Sequence, residues 1–208
     1  MSAPSLKVVV AITSPIAFQT LNCHSVLHTC IQESLAFIRH YGAQAHLAVA
    51  GSSQNLSQIS DIEFEKIVCD PNDAHQFGLA IQTAAPVDLI MIHDSQRALT
   101  QTAQFERVFQ GLTGDIDAVR PISAFTETLK SVTSDQFVAG TIDRNSMSRI
   151  STPELIRFSS IDFLASTSTW FVPLKVDAKI AAVLADANST RINSENELKL
   201  MQNLMDPK

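Results

Sequence analysis

Asp94 and Arg97 stand three residues apart, directly after the apolar run VDLIMIH (Val87 to His93) of this 208-residue chain. At the end of a strand such a pair has a definite chemistry: the carboxylate can hold a divalent cation and the guanidinium can fork onto a phosphate. The same residue types also suit a helix-entry loop with a surface ion pair, and Asp143-Arg144-Asn145 offers the same two readings. Other chemistries lack an essential residue. His24 and His28 have the i, i+4 spacing of a helical zinc pair, but Ser25 stands where H-E-x-x-H requires glutamate. Gly51-Ser52-Ser53 lacks the second glycine of a nucleophile elbow. The loop from Thr13 to Asn22 contains no glycine, so neither a dinucleotide fingerprint nor a P-loop follows the first apolar run.

Hydrophobic periodicity supplies the elements that must position these residues. LKVVVAI (Leu6 to Ile12) is short and β-branched, which predicts a strand buried on both faces. Ser25 is placed to cap a helix carrying Val26, Cys30, Leu35, Phe37 and Ile38, and Gly42 to end it. Strands are expected at Ala45 to Gly51 and Glu65 to Asp70, and a helix capped by Asp73 runs to Ala85. The strand at Val87 to His93 then leads through His93-Asp94-Ser95-Gln96-Arg97 into a helix from Thr102 to Leu112. This alternation predicts right-handed βαβ crossovers: an α/β, Rossmann-like fold, its mostly parallel sheet covered by helices on both faces. Ligands of such sheets bind at the carboxyl ends of the strands, where Asp94 falls.

After AVRPIS the pattern changes. TETLKSV (Thr126 to Val132) and QFVAGTID (Gln136 to Asp143) flank a Ser-Asp turn, which predicts a β-hairpin arm over about residues 126–144. An arm cannot bury its apolar face alone, so a second subunit is expected to cover it. Thr152-Pro153-Glu154 resembles a helix start with proline at the first position, and Val176 to Ala187 and Ser194 to Met205 are read as helical. No repeat or linker divides the chain, so residues 1–208 are expected to form one domain.

Fifteen Lys and Arg against 21 Asp and Glu give a formal charge of −6, with no basic run to offset it, which argues against nucleic acid as a partner. No apolar run approaches the roughly 20 residues of a membrane span or the form of a secretory signal. Cys23, Cys30 and Cys69 form no C-x-x-C pair and are expected to be buried thiols; together these features read as a cytoplasmic protein.

Four blocks fall in an order that resembles the 2-C-methyl-D-erythritol 4-phosphate cytidylyltransferases, a family of the sugar-nucleotide transferase type with a Rossmann-like sheet. IHDSQRAL (Ile92 to Leu99) stands for the family's hydrophobic-H-D-A-A-R-P, and ETLK (Glu127 to Lys130) for D-T-hydrophobic-K. TIDRNSMSRISTPELI (Thr141 to Ile156) stands for T-hydrophobic-x-R-x-x-L followed by T-P-Q, and RINSENELKLM (Arg191 to Met201) for the closing K-hydrophobic-T-x-x-x-D-L. The resemblance implies that Asp94, with Ser95 beside it, faces CTP and its Mg²⁺, and that Asp94 is the metal's protein contact. It implies catalytic roles for Asp94 and Arg144, and a methylerythritol phosphate surrounded by Arg97, Thr128, Thr152 and Arg191 together with Arg144. Family members are homodimers whose arm reaches the neighbouring subunit, so Thr128 and Arg144 are expected to serve the partner's site.

The sequence also departs from the family. Its glycine-rich G-x-G-x-R loop and P-K-Q are replaced by a shorter segment with no glycine, Arg or Lys before SVLHT (Ser25 to Thr29). Amides approach phosphates less closely without glycine, and one lost positive clamp costs orders of magnitude in phosphoryl-transfer rate. AHQFGL (Ala74 to Leu79) replaces R-x-x-S, and STSTWFVPLK (Ser166 to Lys175) has no counterpart of the family's acidic segment. Lys7, Lys175 and Lys179 are candidates for the missing lysine. Two functions follow: cytidylyl transfer from CTP to a polyol phosphate, or a catalytically silent paralogue that binds a phosphorylated ligand as a regulator or heterodimer partner.

Overall fold

The first apolar run becomes β1 (Leu6–Ala11), every residue of it buried. The loop after it holds a 3-10 turn at Pro15–Phe18 and a small hairpin of β2 (Thr20–Leu21) and β3 (His24–Ser25). Ser25 Oγ then accepts from His28 N and caps α1 (Val26–Tyr41), which ends at Gly42 with φ of 105°. β4 (Ala45–Gly51), α2 (Ser53–Ser57), β5 (Glu65–Val68) and α3 (Ala74–Thr83) follow, α3 being capped by the Asp73 carboxylate. Next come β6 (Leu89–Asp94), α4 (Thr102–Gly111), β7 (Ala118–Ala124), β8 (Leu129–Val132) and β9 (Val138–Ile142). β10 (Ser148–Ile150), β11 (Glu154–Arg157), β12 (Ile180–Leu184) and α5 (Glu195–Met205) complete the chain. The computed structural model describes residues 3–84, 86–165 and 171–205; Ala85, the expected end of one helix, and Ser166 to Trp170 lie outside the described residues.

The main sheet runs β10-β7-β11-β6-β1-β4-β5, with β12 on the far edge of β7. β1, β4, β5, β6, β7 and β12 are mutually parallel, and β10 and β11 run antiparallel to them. The period-2 pleat sorts β1 between two cores. Leu6, Val8 and Val10 pack on the side of α1 and α4 with Phe37, Phe105 and Val26, while Val9 and Ala11 pack on the side of α3 with Phe77 and Ile81. Burial of each of the Leu, Val, Ile and Phe side chains among them stabilises the layer by about 1.5–3 kcal/mol. The chain leaves β1 toward β4 but leaves the adjacent β6 toward β7, so a crevice opens at their carboxyl ends.

β8 and β9 form the expected arm as a separate antiparallel hairpin, with Gln136 left-handed (φ 64°) in its turn and Val132, Phe137 and Val138 exposed. Two expected helices are strands. Glu154–Arg157 inserts as β11 between β6 and β7, where Leu155 and Ile156 are buried by both neighbours and the Glu154 carboxylate pairs with Arg120. The segment within Val176 to Ala187 forms β12, because IAAVL finds an open edge of β7 whose hydrogen bonds outweigh its weak helical preference. The cysteines differ as well: Cys30 is buried, Cys69 is half-buried and Cys23 is exposed at the β2–β3 turn, all as free thiols.

Candidate functional site

β6 delivers Asp94 to the crevice with its side chain almost wholly buried. A buried carboxylate must be compensated by charge and hydrogen bonds, and both are present. Arg191 Nε donates to Asp94 Oδ2 at 2.6 Å, Thr13 Oγ1 lies 2.9 Å from Oδ1, and Gln96 N donates to Oδ1 at 3.1 Å. The guanidinium reaches further: Arg191 Nη2 donates to Gln96 Oε1 at 2.5 Å and approaches Thr13 Oγ1 at 3.2 Å, while Nη1 meets Asn193 Oδ1 at 2.5 Å.

Thr152 forms the floor. Its hydroxyl accepts from Asp94 N at 3.1 Å and lies 2.9 Å from His93 Nδ1, and its carbonyl accepts from Gln104 Nε2 at 2.6 Å. Burial drives the His93 pKa down to about 3, partly countered by Asp94, so the imidazole is neutral at physiological pH. Ser95 is buried; its amide donates to Ala11 O at 3.0 Å, and its hydroxyl finds no partner among the described residues. Arg97 follows neither sequence reading in its hydrogen bonds: Nη1 donates to Ser189 O at 2.5 Å and Nη2 to Ile150 O at 3.2 Å, within the fold. Its burial also lowers the guanidinium pKa from its ordinary value.

Asp94, Ser95, Thr152 and Arg191 are thus brought together, with Arg97 beside them but turned to main-chain carbonyls. Thr128 and Arg144 belong to the arm, both exposed, and Arg144 Nη1 closes its base by donating to Thr126 O at 2.5 Å. None of the three lysines reaches the crevice. Lys7 lies at the amino half of β1 on Glu65 Oε1 (2.9 Å), Lys179 pairs with Asp115 before β7, and Lys175 N bonds Ser160 O past the end of β11. All three sit toward the amino end of the parallel strands.

Beside the crevice, between the ends of β1, β4 and β5, lies a cleft of about 480 Å³ lined by Thr13, Ser52, Asn55, Val68, Asp70 and Asn72 among others. Asn72 Nδ2 donates to Thr13 O at 3.1 Å and so links the β5 loop to the β1 loop. The Mg²⁺ implied by the resemblance does not fit the donors as arranged. Magnesium is held octahedrally by one or two carboxylate oxygens together with waters and substrate phosphates. Here both oxygens of the crevice carboxylate, Asp94, already accept hydrogen bonds, and the Arg191 guanidinium stands where the cation's charge would be required. Among the described residues no group of three His, Cys, Asp or Glu could hold a metal ion. His24 and His28 instead stack ring on ring at 4.5 Å. No described helix is long and apolar enough to cross a membrane.

Gln96 lies in the polar cluster after His93 that the sequence places at the strand end, whereas Thr13, Gln104 and Ser189 are not singled out by the sequence. Thr13 carried a usable signal, being the second residue past a strand whose carboxyl end the topology assigns to ligands. Ser189 carried none, since its contact with Arg97 spans 92 positions.

The chain is similar to known proteins along this same framework. The 2-C-methyl-D-erythritol 4-phosphate cytidylyltransferase of Rhodococcus jostii is 27% identical over 141 residues, which cover 64% of this chain and 61% of that protein. Its counterpart from Nocardia farcinica is 29% identical over 140 residues, covering 64% and 60%. The matched stretch therefore spans about three fifths of these curated relatives. In structure, the 4-diphosphocytidyl-2C-methyl-D-erythritol synthase of Anaerococcus prevotii superposes with a TM-score of 0.75 at 13% identity, over 97% of this chain and 96% of that one. The Thermus thermophilus cytidylyltransferase does so at 0.69 and 16%, over 94% and 97%. Residues 10–169, which contain the crevice strands, Asp94, Thr152 and the arm, match the model of the 2-C-methyl-D-erythritol 4-phosphate cytidylyltransferase family, and the chain belongs to that family.

Proposed function

We propose that the crevice and its adjoining cleft take a cytidine nucleotide and a polyol phosphate, and that the chain transfers a cytidylyl group between them. A phosphate oxygen of the polyol attacks the α-phosphorus of CTP and pyrophosphate leaves, a reaction in which the protein mainly positions the reactants and stabilises charge. The observation that supports this reading is the convergence of Asp94, Thr152 and Arg191 on the switch point between β1 and β6. Arg191 would meet the phosphate charge, Asp94 would orient Arg191, and the cleft beside Thr13 would hold the nucleoside. Arg144, exposed on the arm, would act in the site of a second copy; a homodimer joined through the arm and a cytoplasmic location belong to the same proposal.

A second reading, a silent paralogue that binds a phosphorylated ligand or a complete family member, draws on the β1–α1 loop. That loop has no glycine and no lysine, and the chain's candidate lysines sit toward the other end of the strands.

Pyrophosphate release from CTP and methylerythritol phosphate with Mg²⁺ distinguishes the two. Release abolished by both Asp94→Ala and Arg144→Ala supports transfer. No release above the variants, from folded protein that still binds CTP in calorimetry, supports the second reading.

A further inference from the structure

We infer that Arg191 is the built-in counter-cation of the crevice, taking a phosphorylated ligand directly with no divalent cation on Asp94. This rests on the reading above that the crevice accepts such a ligand.

The guanidinium is held by three separate parts of the chain. Nε sits on Asp94 at 2.6 Å, Nη2 on Gln96 Oε1 at 2.5 Å with Thr13 Oγ1 at 3.2 Å, and Nη1 on Asn193 Oδ1 at 2.5 Å. The segment that carries it is pinned to the same loop: Ile192 N donates to Gln96 O at 2.9 Å and Gln96 Nε2 to Ile192 O at 2.5 Å. Asn193 N is tied in turn to Glu197 Oε2 at the start of α5, at 2.5 Å. Arg191 is therefore a fixed charge at the carboxyl end of the sheet, and its side chain keeps 35% of its surface open to solvent.

Its hydrogen bonds differ in kind. Nε donates to a carboxylate, whereas both Nη groups donate to neutral side-chain oxygens. An anionic phosphate oxygen is a stronger acceptor than an amide or hydroxyl oxygen. A phosphate can therefore take over the Nη bonds while Asp94 keeps Nε and holds the plane of the fork. A divalent cation approaching Asp94 would instead meet a like charge at its ligand oxygen.

Two titrations of the full chain test this. In the first, electron paramagnetic resonance follows free Mn²⁺. Wild type and Asp94→Asn are expected to leave equal free metal, and Arg191→Gln, which uncovers Asp94, to bind Mn²⁺ at least about tenfold more tightly. In the second, calorimetry with CTP is expected to give affinities within about threefold in EDTA and in Mg²⁺. Arg191→Gln should lose about tenfold in EDTA, and Arg191→Lys, which keeps the charge, should recover part of it. Wild-type Mn²⁺ uptake that disappears in Asp94→Asn, or CTP binding that requires Mg²⁺, would overturn the inference. Absence of CTP binding in both media would instead overturn the functional reading beneath it, and the Mn²⁺ titration would still decide whether Arg191 keeps cations off Asp94.

Discussion

Arg191 Nε stands 2.6 Å from Asp94 Oδ2 although 97 positions separate the two residues. The contact fastens the segment before α5 across the carboxyl ends of β1 and β6, so the carboxylate's charge is answered from within the chain. Side-chain exposures of 6% for Asp94 and 35% for Arg191 place the pair at the mouth of the crevice.

Asp94→Ala should destabilise the fold by about 2–4 kcal/mol, because Arg191, Thr13 and the Gln96 amide lose their common acceptor in a largely dry site. Urea unfolding of the two proteins at neutral pH measures this. A cost within about 0.5 kcal/mol, as at an ordinary surface position, would contradict it.

His93 should make stability fall as pH drops. Its folded pKa of about 3 lies below the unfolded value of about 6.5. Between these values the unfolded chain binds the extra proton, so stability declines from pH 6.5 toward 3, by an amount on the order of 5 kcal/mol at completion. His93→Gln, which still offers Thr152 a partner, should show a flatter profile across that window in denaturant midpoints taken at successive pH values.

Gly111→Ala should cost about 1–3 kcal/mol despite the better helix propensity of alanine. A Cβ at Gly111 would lie 2.9 Å from Val119 Cγ1 and 3.1 Å from Val183 Cγ1, forcing α4 away from β7 and β12. Thermal unfolding reads the loss, and added Val183→Ala should restore part of it.

Phe137→Ser combined with Val138→Ser should weaken self-association at least about tenfold while leaving monomer stability within about 0.5 kcal/mol. Both side chains are mostly exposed on the arm, at 72% and 67%, and no described packing depends on them. Sedimentation velocity across a concentration series checks the dimer; an unchanged association constant would remove the arm from it.

How much of this was legible beforehand differs by element. β1, α1, β4 and β6 were read with small boundary differences, because long apolar runs and a Ser25 cap with a terminal Gly42 are local signals. The crevice position of Asp94 followed from strand alternation alone. β11 and β12 are not legible locally, because four or five residues carry too little preference: ELIR and IAAVL are strands because β6 and β7 offer edges to pair with.

The amino-acid sequence by itself determined the layered α/β framework, the arm, the family's ordered blocks and a β1–α1 loop without glycine. Tertiary structure alone decided which charges meet. Arg97, three residues from Asp94, turns its outer nitrogens to Ser189 and Ile150, while Arg191 from the far end of the chain takes the carboxylate. The reason is physical: periodicity and capping act within a few residues, whereas a buried charge is satisfied by whichever partner the completed fold brings within hydrogen-bond reach.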